Sequence, residues 1–186
     1  WVINPKNAHR FLTTSTIAVQ WNTPVGNAGA TYDWEARTNG SAAGSGATGL
    51  INSGNTTDTF TTISSLTAAT VYDIYVRTAC ASSTSAWTGP VTIKTACTIN
   101  NIPFSENFDG VTAPALPNCF TVQNINGGNT FTNTSLSGSF AAYSSPNAII
   151  YATEQATAAN DWIYTPAINL TQGVYYRMQF WYRILF

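Results

Sequence analysis

Large apolar residues alternate with polar ones along several short stretches of the first hundred residues. This period of two is that of a β-strand with one buried face, and Gly, Pro, Asn or Ser separates the stretches. The alternating apolar positions are Ile17, Val19 and Trp21; Tyr32, Trp34 and Ala36; Tyr72, Ile74 and Val76; and Val91 and Ile93. The spacing of three and four residues that marks an amphipathic helix is not sustained. The pattern therefore predicts an all-β fold built as an antiparallel sandwich.

Two further segments depart from this alternation. Residues 39–55 are rich in Gly, Ser and Ala, with Leu50 and Ile51 as their only large apolar residues. We interpret them as loops around one weak edge strand, with a flexible linker as the alternative. The run Tyr175–Phe186 is apolar and aromatic, and it predicts a strand that needs partners. Because few partners precede it, we expect the parent protein to continue at least on the C-terminal side.

The composition narrows the class of protein. Of the 186 residues, 44% are hydrophobic and 13% are aromatic, which favours a packed core over disorder. Only 8% are charged and the net charge is -1, so binding of nucleic acid through phosphate neutralisation is not expected. No apolar run approaches the ~18 residues of a membrane span. A surface made polar by Thr, Ser, Asn and Gly is typical of secreted or cell-surface β proteins.

The stretch from Leu66 to Tyr72 has a Leu, a small spacer, a Thr, one further residue and a Tyr. Together with Trp21, Tyr32 and the closing strand Gly89–Thr95, it makes residues 1–96 resemble a fibronectin type III domain. The resemblance implies an immunoglobulin-like sandwich in which Tyr72 is the tyrosine corner, its hydroxyl bonding the backbone upstream. The family's usual Pro in this stretch is Ala here. No Arg-Gly-Asp tripeptide is present to support an integrin-type contact.

Beyond residue 96 the motifs change. Phe104–Asp109, followed by Leu116–Phe120, and the later stretch Asn160–Leu170 occur in the order and spacing of another family. With these motifs, residues 97–186 resemble the front part of a cleaved-adhesin or MAM-like jelly-roll domain. The resemblance implies a partial jelly-roll β-sandwich, and the pair of modules is similar to secreted surface proteins of Bacteroidota. We expect Trp162 and Trp181 to belong to the core of this second domain.

The three cysteines cannot all pair within the chain. Cys80 and Cys97 follow adjacent antiparallel strands, which places them several residues apart at ~3.3 Å each. A disulfide needs Cα atoms within ~7 Å, so this pair is disfavoured. The pair Cys97–Cys119 would close a loop at the opening of the second domain, and the resemblance implies the same pair. Cys80 is then free, paired outside this sequence, or a small and partly buried hydrophobic residue.

Three of the eight acidic residues fall in the jelly-roll-like motifs. They are Glu106, Asp109 and Asp161, and the resemblance implies a structural Ca²⁺ held near them, since hard cations take carboxylate and carbonyl oxygens. The alternative is that Glu106 and Asp109 cap turns and bind backbone amides.

Few residues could support catalysis. The single histidine, His9, precedes the first clear strand, and a surface role is favoured for it. No Gly-x-Ser-x-Gly, His-Glu-x-x-His or phosphate-binding loop is present. Asp33 and Glu35 flank Trp34 on one strand face and are interpreted as solvent-facing polarity rather than as a glycosidase pair. We therefore predict no catalytic residue and no enzyme activity.

One aromatic residue has two interpretations. Trp87 lies in the loop before the last strand of the first domain. It either folds over the end of the sandwich, which is favoured, or contacts a ligand such as a sugar, because exposed aromatic residues are typical of binding sites.

These features favour a non-catalytic extracellular adhesion or structural module pair of a larger secreted or cell-surface protein. Its partner would be a protein or glycan surface ligand, or neighbouring copies of the same chain. One alternative is the accessory binding region of a secreted hydrolase or peptidase. Another is a subunit of an extracellular filament, whose exposed sheet edge accepts a strand from a neighbour.

Overall fold

The protein is described by a computed structural model that covers residues 12–23, 30–152 and 158–184. In these residues the regular structure is β-strand, apart from one short 3₁₀ turn at Gly138–Phe140. The chain divides into two compact units, Trp1–Thr98 and Ile99–Phe186. The predicted boundary between residues 96 and 97 lies two residues before this division. The all-β class predicted from the alternation is confirmed.

The described strands of the N-terminal unit form two sheets. They are β1 (Ile17–Gln20), β2 (Thr31–Thr38), β3 (Leu50–Thr56), β4 (Phe60–Ile63), β5 (Val71–Cys80), β6 (Ser83–Thr84) and β7 (Thr88–Lys94). One sheet pairs β1 with β4, and the other has the order β3-β2-β5, with β6 and β7 both paired to β5. Every pairing is antiparallel. Two such sheets around a shared core make an immunoglobulin-like sandwich.

The core lies between the two sheets and uses the positions that the alternation predicted. The buried cluster consists of Ile17, Val19, Trp21, Tyr32, Trp34, Ala36, Ile63, Leu66, Tyr72, Ile74 and Val76. Val91 and Ile93 are partly buried and pack against it. The rings of Trp21 and Tyr32 meet edge to face, with centroids 5.6 Å apart. Because side chains alternate across a strand, each strand supplies every second residue to this core.

The weak edge strand predicted within residues 39–55 is a full strand at the edge of the larger sheet. β3 pairs with β2 from Tyr32 opposite Thr56 to Arg37 opposite Leu50, with a register shift between Ala36 and Arg37. Its residues alternate between intermediate and exposed, as expected where only one neighbour is present. The linker alternative is therefore wrong for this segment.

The tyrosine corner that the fibronectin type III resemblance implied is present. Tyr72 is buried at the start of β5, and its hydroxyl oxygen accepts a hydrogen bond from the backbone N–H of Thr67 at 2.9 Å. The bond ties the strand to the chain five residues upstream. It thereby satisfies a backbone donor in the connection between the two sheets.

Substituting this tyrosine tests the corner. Tyr72→Phe should lower the free energy of unfolding by about 1 kcal/mol, because the Thr67 N–H loses its acceptor while the ring still fills the core. Urea denaturation followed by tryptophan fluorescence measures the change, with the fully exposed Tyr175→Phe as the control. An unchanged midpoint for Tyr72→Phe would show that the hydroxyl contributes nothing.

The described strands of the C-terminal unit form two separate ladders. They are β8 (Thr121–Asn124), β9 (Phe131–Ser135), β10 (Asn147–Tyr151) and β11 (Asp161–Tyr164). β8 pairs antiparallel with β11, and β9 pairs antiparallel with β10. A single parallel bridge joins Asn100 to Ile168. These ladders leave the jelly-roll sandwich for this half of the chain as a prediction.

Two expectations about this unit are wrong. The strand predicted for Tyr175–Phe186 is not formed in its described part, residues 175–184, because no described strand pairs with it. Trp162 and Trp181 are not core residues, since they are 55% and 65% exposed. Trp162 lies on the two-stranded β8–β11 ladder, which offers too little surface to bury large rings on both of its faces, and Trp181 lies outside every described strand.

Candidate functional site

Five charged residues of the N-terminal unit, all on β2 and β5, gather on the outer face of its larger sheet. On β2 and β5 they alternate with the core residues, and three cross-strand pairs face each other there. The pairs are Asp33 opposite Arg77, Glu35 opposite Tyr75, and Arg37 opposite Asp73. This face is the one place in the described residues where ion pairs form.

Arg37 is fully buried on this outer face, beneath the loop of residues 39–49. Its guanidinium makes four hydrogen bonds, to Glu35 Oε2 at 2.6 Å, Ser45 Oγ at 3.0 Å, the Thr48 carbonyl at 2.8 Å and the Gly46 carbonyl at 3.1 Å. The Gly- and Ser-rich loop is therefore folded around a charged group. Sequence reasoning missed this role, because an Arg on the outward face of a strand is ordinarily solvated.

Glu35 is the ionic partner of Arg37 and is not the solvent-facing group that the sequence suggested. Burial by itself raises the pKa of Glu35. The hydrogen bonds from Arg37 and the Gly44 amide, with the positive charges of Arg37 and Arg77, outweigh it and lower the pKa below its usual value. The Gly44 N–H donates to the carboxylate at 2.9 Å. Glu35 is thus held ionised by its neighbours.

Asp73 is a second structural carboxylate on this face. It accepts hydrogen bonds from Thr92 Oγ1 at 2.6 Å, the Gly40 N–H at 2.7 Å and Asn39 Nδ2 at 3.2 Å. Burial by itself raises the pKa of Asp73. The three hydrogen bonds together lower it by more, so the pKa lies below its usual value. Asp73 therefore joins β5 to β7 and to the start of the 39–49 loop.

Trp87 lies over the same outer face of the larger sheet. The Arg77 guanidinium is 4.5 Å from the centroid of the Trp87 ring, and its Nε donates to Asp33 Oδ2 at 2.9 Å. A Cβ on Gly44 would come within 3.0 Å of Trp87 Nε1, so the ring also lies against the loop. The ring therefore contacts its own domain at Arg77 and the 39–49 loop. Its predicted place over the end of the sandwich and a contact with a ligand both stay predictions.

The cysteines pair as the resemblance implied. Cys97 and Cys119 are disulfide-bonded, and Cys80 is an exposed free thiol. Disulfides persist in oxidising compartments, so the bond is compatible with an extracellular domain. Among the described residues no helix is both long and apolar enough to cross a membrane.

The three predicted cation ligands are not assembled together. In the described part of the chain, no three His, Cys, Asp or Glu side chains form a group that could hold a metal. Glu106 Oε1 accepts the Phe108 N–H at 2.7 Å, as expected for a turn cap. Asp109 accepts the Asn147 N–H at 2.9 Å and the hydroxyl of Ser144, which draws it towards β10.

Asp161 differs from these two carboxylates. It opens β11 opposite Asn124, and both of its carboxylate oxygens are shielded from solvent with no hydrogen-bond partner among the described residues. The other candidate of the sequence, His9, lies outside the described residues.

An exposed aromatic surface covers one part of the C-terminal unit. Tyr143 and Trp181 stack with centroids 4.2 Å apart and planes inclined by 13°, although they are 76% and 65% exposed. They border a cavity of about 390 Å³ that is also lined by Tyr182, Arg183 and several small or aliphatic side chains. We call this surface the aromatic face. Sequence reasoning placed Trp181 in a core and so missed it.

Comparison with known proteins gives a limited likeness. No family model matches the sequence, and no curated protein matches it. The chain is similar to the solution structure of the fibronectin type III domain of human fibronectin type III domain containing protein 3, with 20% identity and a TM-score of 0.40 over 47% of this chain and 79% of that one. It is also similar to a fourth fibronectin type III domain of a human protein, at 16% identity and a TM-score of 0.38, over 52% and 75% of the two chains.

Proposed function

We propose that the protein is a non-catalytic extracellular module pair, in which the N-terminal sandwich is a structural domain and the C-terminal unit binds a surface ligand. The observation that carries the proposal is the stacked, exposed pair Tyr143 and Trp181 beside its cavity. Large exposed apolar patches mark interaction sites in soluble proteins, and aromatic residues dominate binding energies. Stacking holds both rings in place before a ligand arrives.

The aromatic face supports binding of a protein or a glycan. Its flat stacked rings offer a surface on which a sugar ring or an apolar side chain can lie, and Arg183, which lines the same cavity, carries hydrogen-bond donors. The Arg183 guanidinium is directed towards the carbonyls of Ser139 and Ala141, at 3.4 and 3.1 Å. These two hydrogen bonds fix the orientation of the Arg183 guanidinium in the cavity.

Three acidic residues of the N-terminal unit are bound by partners from their own domain, which supports a non-catalytic role. Glu35 and Asp73 are held ionised by donors from their own domain, and Asp33 is paired with Arg77. A general acid or base needs a free position towards a substrate and a pKa near the working pH. Glu35, Asp73 and Asp33 therefore act as structural groups of the domain. A role as the accessory region of a hydrolase or peptidase would require catalysis elsewhere in the parent protein.

A second candidate, the subunit of an extracellular filament, is favoured by one specific feature. The edge strand β3 contains Leu, Ile, Asn, Ser, Gly and Thr, and it carries no charged residue and no proline. Those are the residues that ordinarily block strand addition at a sheet edge. The partner would then be a strand from a neighbouring copy.

A binding experiment tests the proposal. The chain should adhere to surfaces coated with mucin or with fibrinogen, which present glycan and protein, and a Tyr143→Ala/Trp181→Ala variant should bind at least about tenfold more weakly, as for removal of a hot spot. Tyr175→Ala, equally aromatic and fully exposed, is the matched control. Biolayer interferometry gives the dissociation constants.

Two results would contradict the proposal. Equal binding by the double variant and the control would show that the aromatic face is not the site. Turnover of casein or of a glycan by the purified chain, abolished by a point substitution within it, would show that the chain is an enzyme.

A further inference from the structure

We propose that a cavity at which the two ladders of the C-terminal unit meet binds a quaternary ammonium group, such as the trimethylammonium group of choline. The cavity has a volume of about 200 Å³ and is formed by three aromatic residues, one carboxylate and two smaller neighbours. They are Phe131, Tyr151, Trp162, Asp161, Ala159 and Asn160. We call it the Asp161 cavity. Aromatic rings grouped around a cation are the usual means by which proteins recognise quaternary ammonium ligands.

Strand pairing brings the aromatic rings to this cavity. Phe131 opens β9 and Tyr151 closes β10, and the two residues are directly opposite each other in the antiparallel register. Their ring centroids are 5.2 Å apart and their planes are inclined by 53°, so the rings are not stacked and do not cover each other's faces. Trp162, the second residue of β11, adds an indole that is 55% exposed. The faces of such rings carry partial negative charge and attract a cation.

Asp161 supplies the formal negative charge of the cavity. Both of its carboxylate oxygens are shielded from solvent and have no hydrogen-bond partner among the described residues. Neither of the ion pairs found in those residues includes Asp161, and the sequence has no Lys or Arg between Lys94 and Arg177. A carboxylate withdrawn from water without a counter-charge opposes folding, so a cation bound beside it is favoured.

The shielding of the Asp161 oxygens determines which kind of cation fits. A metal ion must contact its oxygen ligands directly, at ~2.3–2.6 Å for Ca²⁺. A primary ammonium is a compact and strongly hydrated charge that needs hydrogen-bond acceptors in place of its water. A quaternary ammonium has no N–H donor and spreads its charge over its methyl groups. It is therefore held by ring faces and by the field of a carboxylate that it does not touch.

The size of the Asp161 cavity suits a trimethylammonium group. An apolar cavity of about 150 Å³ in another protein holds benzene, which is of similar size. Because Trp162 is half exposed, a chain attached to the nitrogen has a path into solvent. Cation–π contacts are weaker at exposed sites than at fully desolvated ones, so we expect a Kd for choline on the order of 10⁻³ M.

An NMR titration of the full chain with choline tests the proposal. We expect saturation transfer from the protein to the choline methyl groups. The neutral analogue of choline, in which carbon replaces the charged nitrogen at the same shape, should bind at least about tenfold more weakly. Ethanolamine, which carries a primary ammonium, should also bind more weakly than choline.

Two substitutions remove the ring and the charge separately. Trp162→Ala and Asp161→Asn should each weaken choline binding at least about tenfold. Trp181→Ala is the matched control, because Trp181 is a 65% exposed tryptophan that lines the cavity of the aromatic face and not the Asp161 cavity. It should bind choline as the unsubstituted chain does, so this proposal and that for the aromatic face stand or fall independently.

The outcomes separate clearly. No saturation transfer to choline, equal binding of choline and its neutral analogue, or equal choline affinities of Trp162→Ala and Trp181→Ala would overturn the proposal. If Trp162→Ala does not give the circular dichroism spectrum of a folded chain, Asp161→Asn decides, and unchanged choline binding by that variant would also overturn it. Once choline binding is found, sedimentation with phosphatidylcholine and with phosphatidylethanolamine vesicles identifies the source. Association with the former alone assigns a lipid headgroup, and association with neither assigns a soluble ligand.

Discussion

Replacing Arg37 by methionine is expected to lower the free energy of unfolding of the N-terminal unit by about 3–5 kcal/mol, the usual cost of removing one partner of a buried ion pair. Methionine fills a similar volume but donates no hydrogen bond. The Glu35 carboxylate then loses its counter-charge, and the Thr48 and Gly46 carbonyls lose their donor. Chemical denaturation followed by tryptophan fluorescence measures the change.

A matched substitution on the same face separates burial from charge. Arg77→Met removes the ion pair with Asp33, in which the Arg77 side chain is 30% exposed and the Asp33 side chain 25%. It should lower the free energy of unfolding by about 1 kcal/mol or less. Equal losses for Arg37→Met and Arg77→Met would mean that the 39–49 loop does not depend on the buried guanidinium.

Acid titration provides an independent check on the Arg37 substitution. The folded-state pKa of Glu35 is lowered, so its stabilising contribution is present above the unfolded-state pKa and is lost as the pH falls through the folded-state value. In Arg37→Met, burial still raises the pKa of Glu35, but the hydrogen bond and the positive charge of Arg37 no longer lower it. Acidification should therefore reduce stability less than in the unsubstituted chain. Asp73 keeps its own donors in both proteins and contributes acid sensitivity to both. A steeper loss in Arg37→Met would contradict this account.

Removing the disulfide should have the next largest effect. The bond between Cys97 and Cys119 closes a loop of about 20 residues, and a loop of that length contributes about 3 kcal/mol in the chain-entropy model. Among the described residues of the C-terminal unit, Phe120 is the large apolar side chain that is buried. Cys97 itself precedes the division at Thr98, but residues 99–119 of the closed loop belong to the C-terminal unit. A unit with so small a core depends on this constraint on its opening segment.

The measurement is chemical unfolding of the Cys97→Ser/Cys119→Ser variant. The transition of the C-terminal unit should shift strongly, and reductant should move the unsubstituted chain in the same direction. Cys80→Ser, at an exposed free thiol, is the control and should leave both transitions in place. A double variant that unfolds with the midpoint of Cys80→Ser would show that the core and hydrogen bonds suffice.

The hydrogen-bonded network around Asn147 is the main competitor to the disulfide for holding the C-terminal unit. Asn147 is buried and donates to the carbonyls of Phe108 and Val111 at 3.0 and 2.8 Å. Its backbone N–H also donates to the Asp109 carboxylate. Asn147 thereby joins the opening segment of the unit to β10. The disulfide variant therefore measures what the covalent bond adds beyond this network.

The inward faces of β1, β2 and β5 followed from the sequence alone, because the period of two is a local property of an extended chain. The hydrogen bond of Tyr72 was implied by the fibronectin type III resemblance of residues 66–72, and its partner lies only five residues upstream. The role of Arg37 did not follow. The alternation correctly directs it away from the core, and only the return of the 39–49 loop over that face buries it.

The C-terminal unit shows the same division between local pattern and distant partners. The sequence determined that Tyr175–Phe186 is apolar, but a strand exists only where another strand accepts its hydrogen bonds, and none of the described strands does so. The acidic residues of the two motifs were recognisable as candidates for an oxygen site. Which of them remain without a partner was decided by tertiary structure, since Asp109 meets Asn147 38 residues away along the chain, while the Asp161 carboxylate has no hydrogen-bond partner among the described residues. Hydrogen-bond partners far apart in sequence are chosen by the packing of the whole unit, and no local pattern records that choice.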